Sequence, residues 1–160
     1  VCSSSMDASK LTILFNENKP DYLRRIYFNS IKYDVANYDE VFNAFGKENA
    51  DLVILPEIKI NDSFVEYYYS ELDDSYVKNF VNNPVYYSIK DIDDVEHNFG
   101  LKIKDKNNES NNLLVYDIGE DKFDYYAFIG ANSLHAGLIN NSNWNTCLDF
   151  VKLILDYVEN

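Results

Sequence analysis

The sequence has little cysteine and no long apolar run. Only two cysteines, Cys2 and Cys147, occur in 160 residues, which is too few for a disulfide framework. No stretch approaches the roughly 18 consecutive apolar residues of a transmembrane helix, and no signal peptide with a charged start and an apolar core is visible. The chain is therefore expected to fold around its own core, without disulfides and without a membrane span.

Basic residues are also scarce. The 14 Lys and Arg are outnumbered by 27 Asp and Glu, which gives a formal net charge of −13. Nucleic-acid binding needs a basic face that attracts phosphates, so this balance argues against nucleic acid as a partner. An acidic surface suits solubility, a basic protein partner, or mimicry of nucleic acid towards another protein.

No catalytic or metal-binding motif is present. Ser133 and His135 could be imagined as nucleophile and base, but the G-x-S-x-G turn of a serine hydrolase is missing. Two histidines without a spaced Cys or carboxylate partner predict no metal site. Cys147 falls on the apolar side of a predicted helix, where a buried and unreactive thiol is expected. We therefore expect a protein that is not an enzyme and that has no metal or cofactor.

The most informative stretch is residues 51–57, with the sequence Asp-Leu-Val-Ile-Leu-Pro-Glu. Four consecutive apolar residues ended by a proline are typical of a strand covered on both faces, and they predict a central parallel strand. Apolar runs at 10–15 and 31–36 predict two earlier strands. A helix is expected after each, so the first half is predicted as a parallel β-α-β-α-β unit.

The two crossover helices have recognisable ends. Pro20 suits the first turn of the first helix, on which Arg24 and Arg25 are expected to face solvent. Asp39 is a good N-cap for the second helix, and Gly46 supplies its C-terminal stop.

The second half predicts helices and antiparallel strands. The expected elements are a helical run over 62–82 that is broken at 73–75 and capped again by Ser75, a strand at 85–89, a short helix at 91–99, an edge strand at 101–103, a hairpin of strands at 113–116 and 123–129, and a long buried helix after Ser142. The predicted fold is a three-layer α/β sandwich: a single domain over 10–160 that follows a flexible lead or tether at 1–9.

Polar residues follow each predicted parallel strand. They are Asn16 and Glu17, Asn37 and Tyr38, and Glu57. The carboxyl ends of parallel strands meet at one edge of a sheet, where ligands bind in α/β folds. Amides, a phenol and carboxylates at such a rim suit a small polar or cationic solute. The alternative is that these are ordinary polar loop residues.

The first residues, Val1-Cys2-Ser3-Ser4-Ser5, resemble the processing site of a bacterial lipoprotein, in which a lipidated Cys is followed by a Ser-rich tether. The resemblance implies an extracytoplasmic protein that meets the membrane only through a lipid on Cys2. The alternative is a plain flexible start on a cytoplasmic protein.

Further stretches carry a second resemblance: residues 46–57 with their glycine, acid, apolar strand and proline, residues 89–92 with 99–103, and residues 136–143 leading into 147–151. They are similar to one lobe of type-two extracytoplasmic solute-binding proteins, the receptors of ABC importers. Those receptors close two lobes on a solute, whereas 160 residues hold one lobe and at most a stub. The resemblance implies a reduced relative that binds a solute, pairs with a second copy, or no longer binds solute.

Residues 11–62 also resemble a receiver domain of two-component signalling. The acidic pair and the phospho-accepting Asp of that family would fall at Asn16-Glu17 and Pro56-Glu57, so phosphotransfer is not expected. This leaves an alternative function: an acidic partner-binding protein, of the immunity or nucleic-acid-mimic type, on a flavodoxin-like or degenerate receiver-like scaffold that meets a basic protein.

Overall fold

The computed structural model describes residues 8–32, 35–107, 123–133 and 146–159. Its elements are α1 (Ala8–Asn18), α2 (Tyr38–Phe45), β1 (Leu52–Pro56), a 3-10 turn (Glu57–Lys59), α3 (Asp62–Tyr68), α4 (Asp74–Val77), β2 (Tyr86–Lys90), β3 (Glu96–Lys104), β4 (Tyr125–Ile129) and α5 (Thr146–Glu159). The fold therefore mixes helices with one four-stranded sheet. No helix within these ranges is long and apolar enough to cross a membrane.

The sheet is antiparallel throughout its described strands. Its order is β1-β4-β3-β2, with Ile54 opposite Ala127 on one side and Leu101 opposite Ala127 on the other. The prediction of a central parallel strand at 51–57 is wrong, because β1 lies at an edge of this sheet and pairs with a strand that runs the opposite way. The described residues contain no parallel β-α-β-α-β unit.

Strand β1 is nevertheless buried on both faces, as its sequence predicts. Ile54 belongs to an apolar cluster with residues of α1 and α5, whereas Val53 and Leu55 belong to a second cluster with residues of α2 and α3. Helical residues therefore cover the sheet on both sides. A continuous apolar run reports this two-sided cover, which an edge strand can have as well as a central one.

The predicted first strand at 10–15 is wrong, because these residues belong to α1. Leu11 and Phe15 are buried and lie four residues apart, on one face of the helix. The Phe15 ring stacks on Phe150 of α5 at a centroid distance of 4.5 Å. The run reads equally well as a buried strand or a helix by its apolar content, and packing against α5 selects the helix. The predicted lead at 1–9 loses Ala8 and Ser9 to α1.

The segment between α1 and α2 also differs from its prediction. Pro20 does not begin a helix: it opens a turn in which the Leu23 amide donates to the Pro20 carbonyl oxygen at 3.0 Å, and residues 23–29 have no regular secondary structure. Residues 31, 32, 35 and 36 of the predicted second strand are not in a strand, and residues 33 and 34 lie outside the described ranges.

Helix α2 forms close to its predicted position. Gly46 ends it as expected, with its amide donating to the Phe42 carbonyl oxygen at 2.7 Å. The N-cap differs by two residues: Asn37 holds that position without a capping side-chain hydrogen bond, and Asp39 lies in the first turn. There its charge complements the positive end of the helix dipole.

The predicted helical run at 62–82 divides into α3 and α4, as its polar break indicates. Asn61 caps α3 by accepting from the Phe64 amide, and Asp73 caps α4 by accepting from the amides of Ser75 and Tyr76. The prediction of Ser75 as the cap is wrong. The carboxylate two residues earlier reaches both amides, and Ser75 donates its hydroxyl to that carboxylate at 2.6 Å.

Strands β2 and β3 form a hairpin. The strand predicted at 85–89 is confirmed with a shift of one residue, but the helix predicted at 91–99 is wrong. Asp91 organises the turn by accepting from the amides of Asp93 and Val95, and Asp94 adopts a positive φ of 65°. Acidic residues tolerate this conformation, and their side chains close such turns locally.

The last two elements agree with their predictions. β4 occupies most of the strand predicted at 123–129, and α5 buries Cys147, Leu148, Val151 and Ile154 along one stripe. The partner strand predicted at 113–116 and the cap Ser142 lie outside the described residues.

Candidate functional site

The predicted rim residues Asn16 and Glu17 lie in the last turns of α1. The Asn16 amide donates to the Thr12 carbonyl oxygen of the same helix at 2.7 Å, and Glu17 is exposed. Because 10–15 is helical, these residues do not follow a strand and do not lie at a sheet edge.

The other rim residues lie elsewhere. Asn37 is exposed at the start of α2, and Tyr38 is buried, with its ring stacked on Phe42 at 5.5 Å. Glu57 begins the 3-10 turn after β1 and forms an ion pair with Lys106 at 3.6 Å.

The structure therefore does not bring the five predicted residues together at one edge of the sheet. Asn16 and Glu17 belong to the helix that packs with α5, whereas Asn37 and Tyr38 lie at the start of α2, on the opposite face of the sheet. One link joins two of the groups: the Lys59 ammonium lies 4.4 Å from the Tyr38 ring centroid, which brings α2 next to the turn that contains Glu57. The predicted rim depended on parallel strands whose carboxyl ends meet, and the described strands are antiparallel.

A cleft on the α1 and α5 side is the strongest candidate site in the described chain. Its volume is about 260 Å³, and it lies between α1, the irregular segment 23–29, the approach to β1, and the start of α5. Its apolar wall includes Phe15, Phe28 and Phe150. Phe15 meets Phe28 edge-on at 6.5 Å and stacks on Phe150 at 4.5 Å, so three aromatic rings are fixed against one another.

Polar side chains line the same cleft. They are Arg25, Asn29, Asn49, Asp51 and Thr146. Among the lining residues that the structure describes, Arg25 is the single positively charged one. An apolar cavity with a few polar groups is the usual form of a small-molecule site.

Three residues join the cleft to the sheet. The Ser133 hydroxyl donates to a carboxylate oxygen of Asp51, and the Cys147 thiol donates to the Asp51 backbone carbonyl at 3.6 Å. Burial, followed by the nearby Asp51 charge, raises the pKa of the Cys147 thiol to about 12. The thiol is therefore protonated at neutral pH, and this geometry favours a packing role over that of a nucleophile.

The backbone of Asp51 is held close to the end of β4. Gly130 donates its amide to the Asp51 carbonyl oxygen at 3.0 Å, and a Cβ on Gly130 would lie 2.3 Å from the Ala50 carbonyl oxygen. This close backbone approach fixes the start of β1 against the end of β4, and with it one wall of the cleft.

A charged cluster lies at the other end of β4. Asp124 is buried, pairs with Lys102 at 2.8 Å, and accepts from the Lys106 amide at 2.7 Å. Burial opposes the Lys102 charge, but the hydrogen bond from Asp124 and the neighbouring Tyr126 outweigh it and raise the pKa of Lys102. These groups satisfy one another, so the cluster is best explained as a structural link between β3 and β4.

His97 lies between two carboxylates. Its Nε2 is 3.3 Å from Asp91 and its Nδ1 is 3.3 Å from Glu71, and these contacts raise the pKa of the imidazole. His135 and Cys2 lie outside the described residues. Within the described ranges, no group of three or more His, Cys, Asp or Glu is arranged to hold a metal ion.

No protein-family model, curated protein or solved structure matches this chain. The sequence predicts a helix for the segment that carries Arg25, whereas this segment is irregular and lines the cleft together with α1 and α5. Arg25 is exposed, as expected, but it lies at this cleft and not on a helix. Asp51, Leu52 and Ile54 are cleft residues that the sequence already placed in the predicted strand stretch at 51–57.

Proposed function

We propose that this chain is a non-enzymatic binding protein for a small solute, and that the solute occupies the cleft between α1, segment 23–29 and α5. The observation that carries the proposal is the combination of a fixed aromatic wall with separate polar groups in one cavity. This cavity replaces the predicted rim as the place where the solute binds.

The size of the cleft limits the solute. Its volume of about 260 Å³ lies just below the range of roughly 300–1,000 Å³ that is usual for small-molecule sites. A molecule with a single ring or a short aliphatic chain and one polar end fits this volume. A nucleotide or an oligosaccharide would exceed it.

The absence of catalysis is part of the proposal. The Cys147 thiol is held protonated by burial, and the Ser133 hydroxyl already donates to Asp51. In serine hydrolases the base that receives the hydroxyl proton is an imidazole that a carboxylate orients, and a direct Ser to Asp contact does not supply it. Both contacts are better suited to holding the cleft in shape.

We also propose that the protein acts outside the cytoplasm, as a lipoprotein related to solute-binding receptors and anchored through Cys2. The support is the Cys2-Ser3-Ser4-Ser5 pattern in the sequence. Mass spectrometry of the full-length protein from its native host should find a lipid on Cys2, and the Cys2→Ser variant should leave the membrane fraction. Unmodified Cys2 in the wild type would contradict this part of the proposal.

Solute binding is tested by a thermal-shift screen of amino acids, polyamines, sugars and small organic acids. A ligand at one hundred times its dissociation constant stabilises by about 2.7 kcal/mol, which for a domain of this size is roughly 5–10 °C. A screen with no selective hit would contradict the proposal.

The location of binding is tested with matched variants. Asn49→Trp fills the cleft from its exposed rim and should abolish the shift, whereas Asn43→Trp adds the same ring to an exposed position of α2 outside the cleft and should not. Changing both Glu17 and Glu57 to Gln tests the rim that the sequence predicts. If this double variant loses binding and Asn49→Trp keeps it, the cleft is not the site.

A second candidate function has one specific observation in its favour. The tip of the β2–β3 hairpin exposes Ile92 completely, and Asp91, Asp93 and Asp94 surround it. An exposed apolar residue within acidic neighbours suits a basic protein partner, as the net charge of −13 does.

Partner binding is tested by capture of a purified basic protein. Ile92→Ser should remove capture, while Val85→Ser, at an exposed position away from the tip, should retain it. Capture should also weaken between about 0.1 M and 1 M salt, where the Debye length falls from about 10 Å to 3 Å. Equal capture by both variants would contradict a role for the hairpin tip.

A further inference from the structure

The charge on Arg25 is the unexplained feature of the cleft. Arg25 is one of two arginines in the chain, and it is the single cation among the described residues that line this cavity. In the described parts of the chain its guanidinium has no ion pair and no hydrogen bond. The chain has 27 Asp and Glu, and an arginine at a cleft that pairs with no acidic side chain of the described residues is available to an outside group.

Asp51, the acidic residue among the described lining residues, is not an ion-pair partner of Arg25. Asp51 lines the same cavity, but it forms no ion pair with Arg25, and one of its carboxylate oxygens accepts from Ser133. Asp51 is thereby held toward the loop after β4. The positive charge of Arg25 remains available at the rim.

The rest of the cavity defines what a bound molecule needs besides an anionic group. Phe15, Phe28 and Phe150 present an apolar aromatic wall, and their mutual contacts keep the rings in place. The side-chain amides of Asn29 and Asn49 line the same cavity and are able to donate to an anionic oxygen that a single guanidinium leaves unsatisfied.

The net charge of the protein selects among anions. A chain at −13 repels anions in general, and the repulsion grows with the charge of the ligand. One guanidinium matches one carboxylate in a planar, two-bond geometry. A phosphate dianion would face stronger repulsion with the same single cation. The cleft therefore favours a monoanion with an apolar body.

We propose that the ligand of this cleft is a small monocarboxylate with an aromatic or aliphatic body, whose carboxylate pairs with Arg25 and whose body packs on Phe15, Phe28 and Phe150. This inference rests on the proposed function, and it specifies an organic acid where the sequence predicts a small polar or cationic solute.

Three probes that share one body test the charge preference. They are 3-phenylpropionate, 3-phenylpropan-1-ol and 3-phenylpropylammonium, and their binding to the full chain is measured by titration calorimetry or by NMR chemical shifts. The acid should bind at least about tenfold more tightly than the alcohol, a difference of about 1.4 kcal/mol, and the amine should bind most weakly.

Two arginine variants assign the preference to one side chain. Arg25→Gln should weaken binding of the acid by about tenfold and leave the affinity for the alcohol unchanged, because only the charge pairing is lost. Arg24→Gln removes the same charge from the neighbouring exposed position, which does not line the cleft, and should leave all three affinities unchanged. Equal weakening by both variants would mean that net charge and not Arg25 sets affinity, and would overturn the inference.

The outcomes separate this inference from the proposed function. If the acid, the alcohol and the amine bind with equal affinity, and Asn49→Trp abolishes the binding of all three, the cleft binds solutes but Arg25 does not select carboxylates. If the amine binds best, the cleft prefers a cation, which is one of the two kinds of solute that the sequence predicts, and the inference is wrong. If no probe binds and the broader screen also finds no ligand, both fail together.

Discussion

Replacing Tyr69 by Phe should stabilise the protein, although it removes a polar group. Tyr69 is 2% exposed, and its hydroxyl has no hydrogen-bond partner among the described residues. Burial, followed by the neighbouring Tyr38, raises the pKa of this phenol, so it carries its proton at any ordinary pH. The hydroxyl therefore loses its hydration on folding and gains no hydrogen bond from the described residues.

The expected gain in stability follows from the ring contacts that Tyr69→Phe keeps and from the hydroxyl that it removes. Phe at position 69 retains the stacking on Phe128 at 5.0 Å and the edge contact with Phe64 at 5.2 Å. A buried polar group without a partner costs about 1–3 kcal/mol. We expect the free energy of unfolding to rise by about 1–2 kcal/mol, which corresponds to roughly 2–8 °C in Tm for a chain of this size.

Urea denaturation followed by circular dichroism measures this change, with two tyrosines as controls. Tyr67→Phe alters a side chain that is 75% exposed and should change stability by less than about 0.5 kcal/mol. Tyr86→Phe removes a hydroxyl that donates to Asp74 at 2.7 Å and should cost about 0.5–1.5 kcal/mol. If Tyr69→Phe instead destabilises by about 1 kcal/mol or more, the hydroxyl has a partner such as a buried water, and the reasoning is refuted.

Three further predictions concern residues that hold the fold together. His97→Gln should lower the urea midpoint near pH 5.5 but not near pH 9, because the two flanking carboxylates raise the pKa of the imidazole in the folded state. The stability that these contacts add is complete below the unfolded-state pKa of about 6.5, and it is lost as pH rises through the folded-state pKa. An equal effect at both pH values would contradict this assignment. Gly130→Ala should destabilise by about 1–3 kcal/mol in the same assay, since the new Cβ would lie 2.3 Å from the Ala50 carbonyl oxygen and the backbone must move; a neutral result would show that the two segments are not so close. Asp124→Asn should cost about 3 kcal/mol by leaving the Lys102 charge without its 2.8 Å partner, and a second change of Lys102 to Met should recover part of that loss. No recovery in the double variant would mean that the ion pair is not the source of the cost.

Local sequence signals predicted several elements correctly. The apolar run at 51–57 marked a strand with two covered faces, Gly46 marked a helix end, and the stripe from Cys147 to Ile154 marked a buried helix. Each of these depends on residues that are close along the chain, so the pattern and its physical cause lie in the same short window.

The wrong predictions concern elements whose structure depends on contacts with residues far away in the sequence. Residues 10–15 are apolar enough for a strand or a helix, and only the contact of Phe15 with Phe150 settles the choice. The direction of β1 depends on β4, which no local pattern near residue 52 can reveal. The predicted rim depended on distant residues in the same way, because Asn16, Glu17 and Asn37 were grouped by a parallel topology that the described sheet does not have.

The position of β4 between β1 and β3 also sets an order of events during synthesis. The β2–β3 hairpin is local and can form as soon as it leaves the ribosome, whereas β1 must wait for a partner roughly 70 residues further along the chain. At 5–20 residues per second this interval lasts about 4–14 s. During that time the apolar edge of Leu52, Val53, Ile54 and Leu55 has no strand beside it, and α1 has no α5 to pack on. The nascent chain would therefore present a binding segment for chaperones at residues 52–55, and that segment would close when residue 129 emerges.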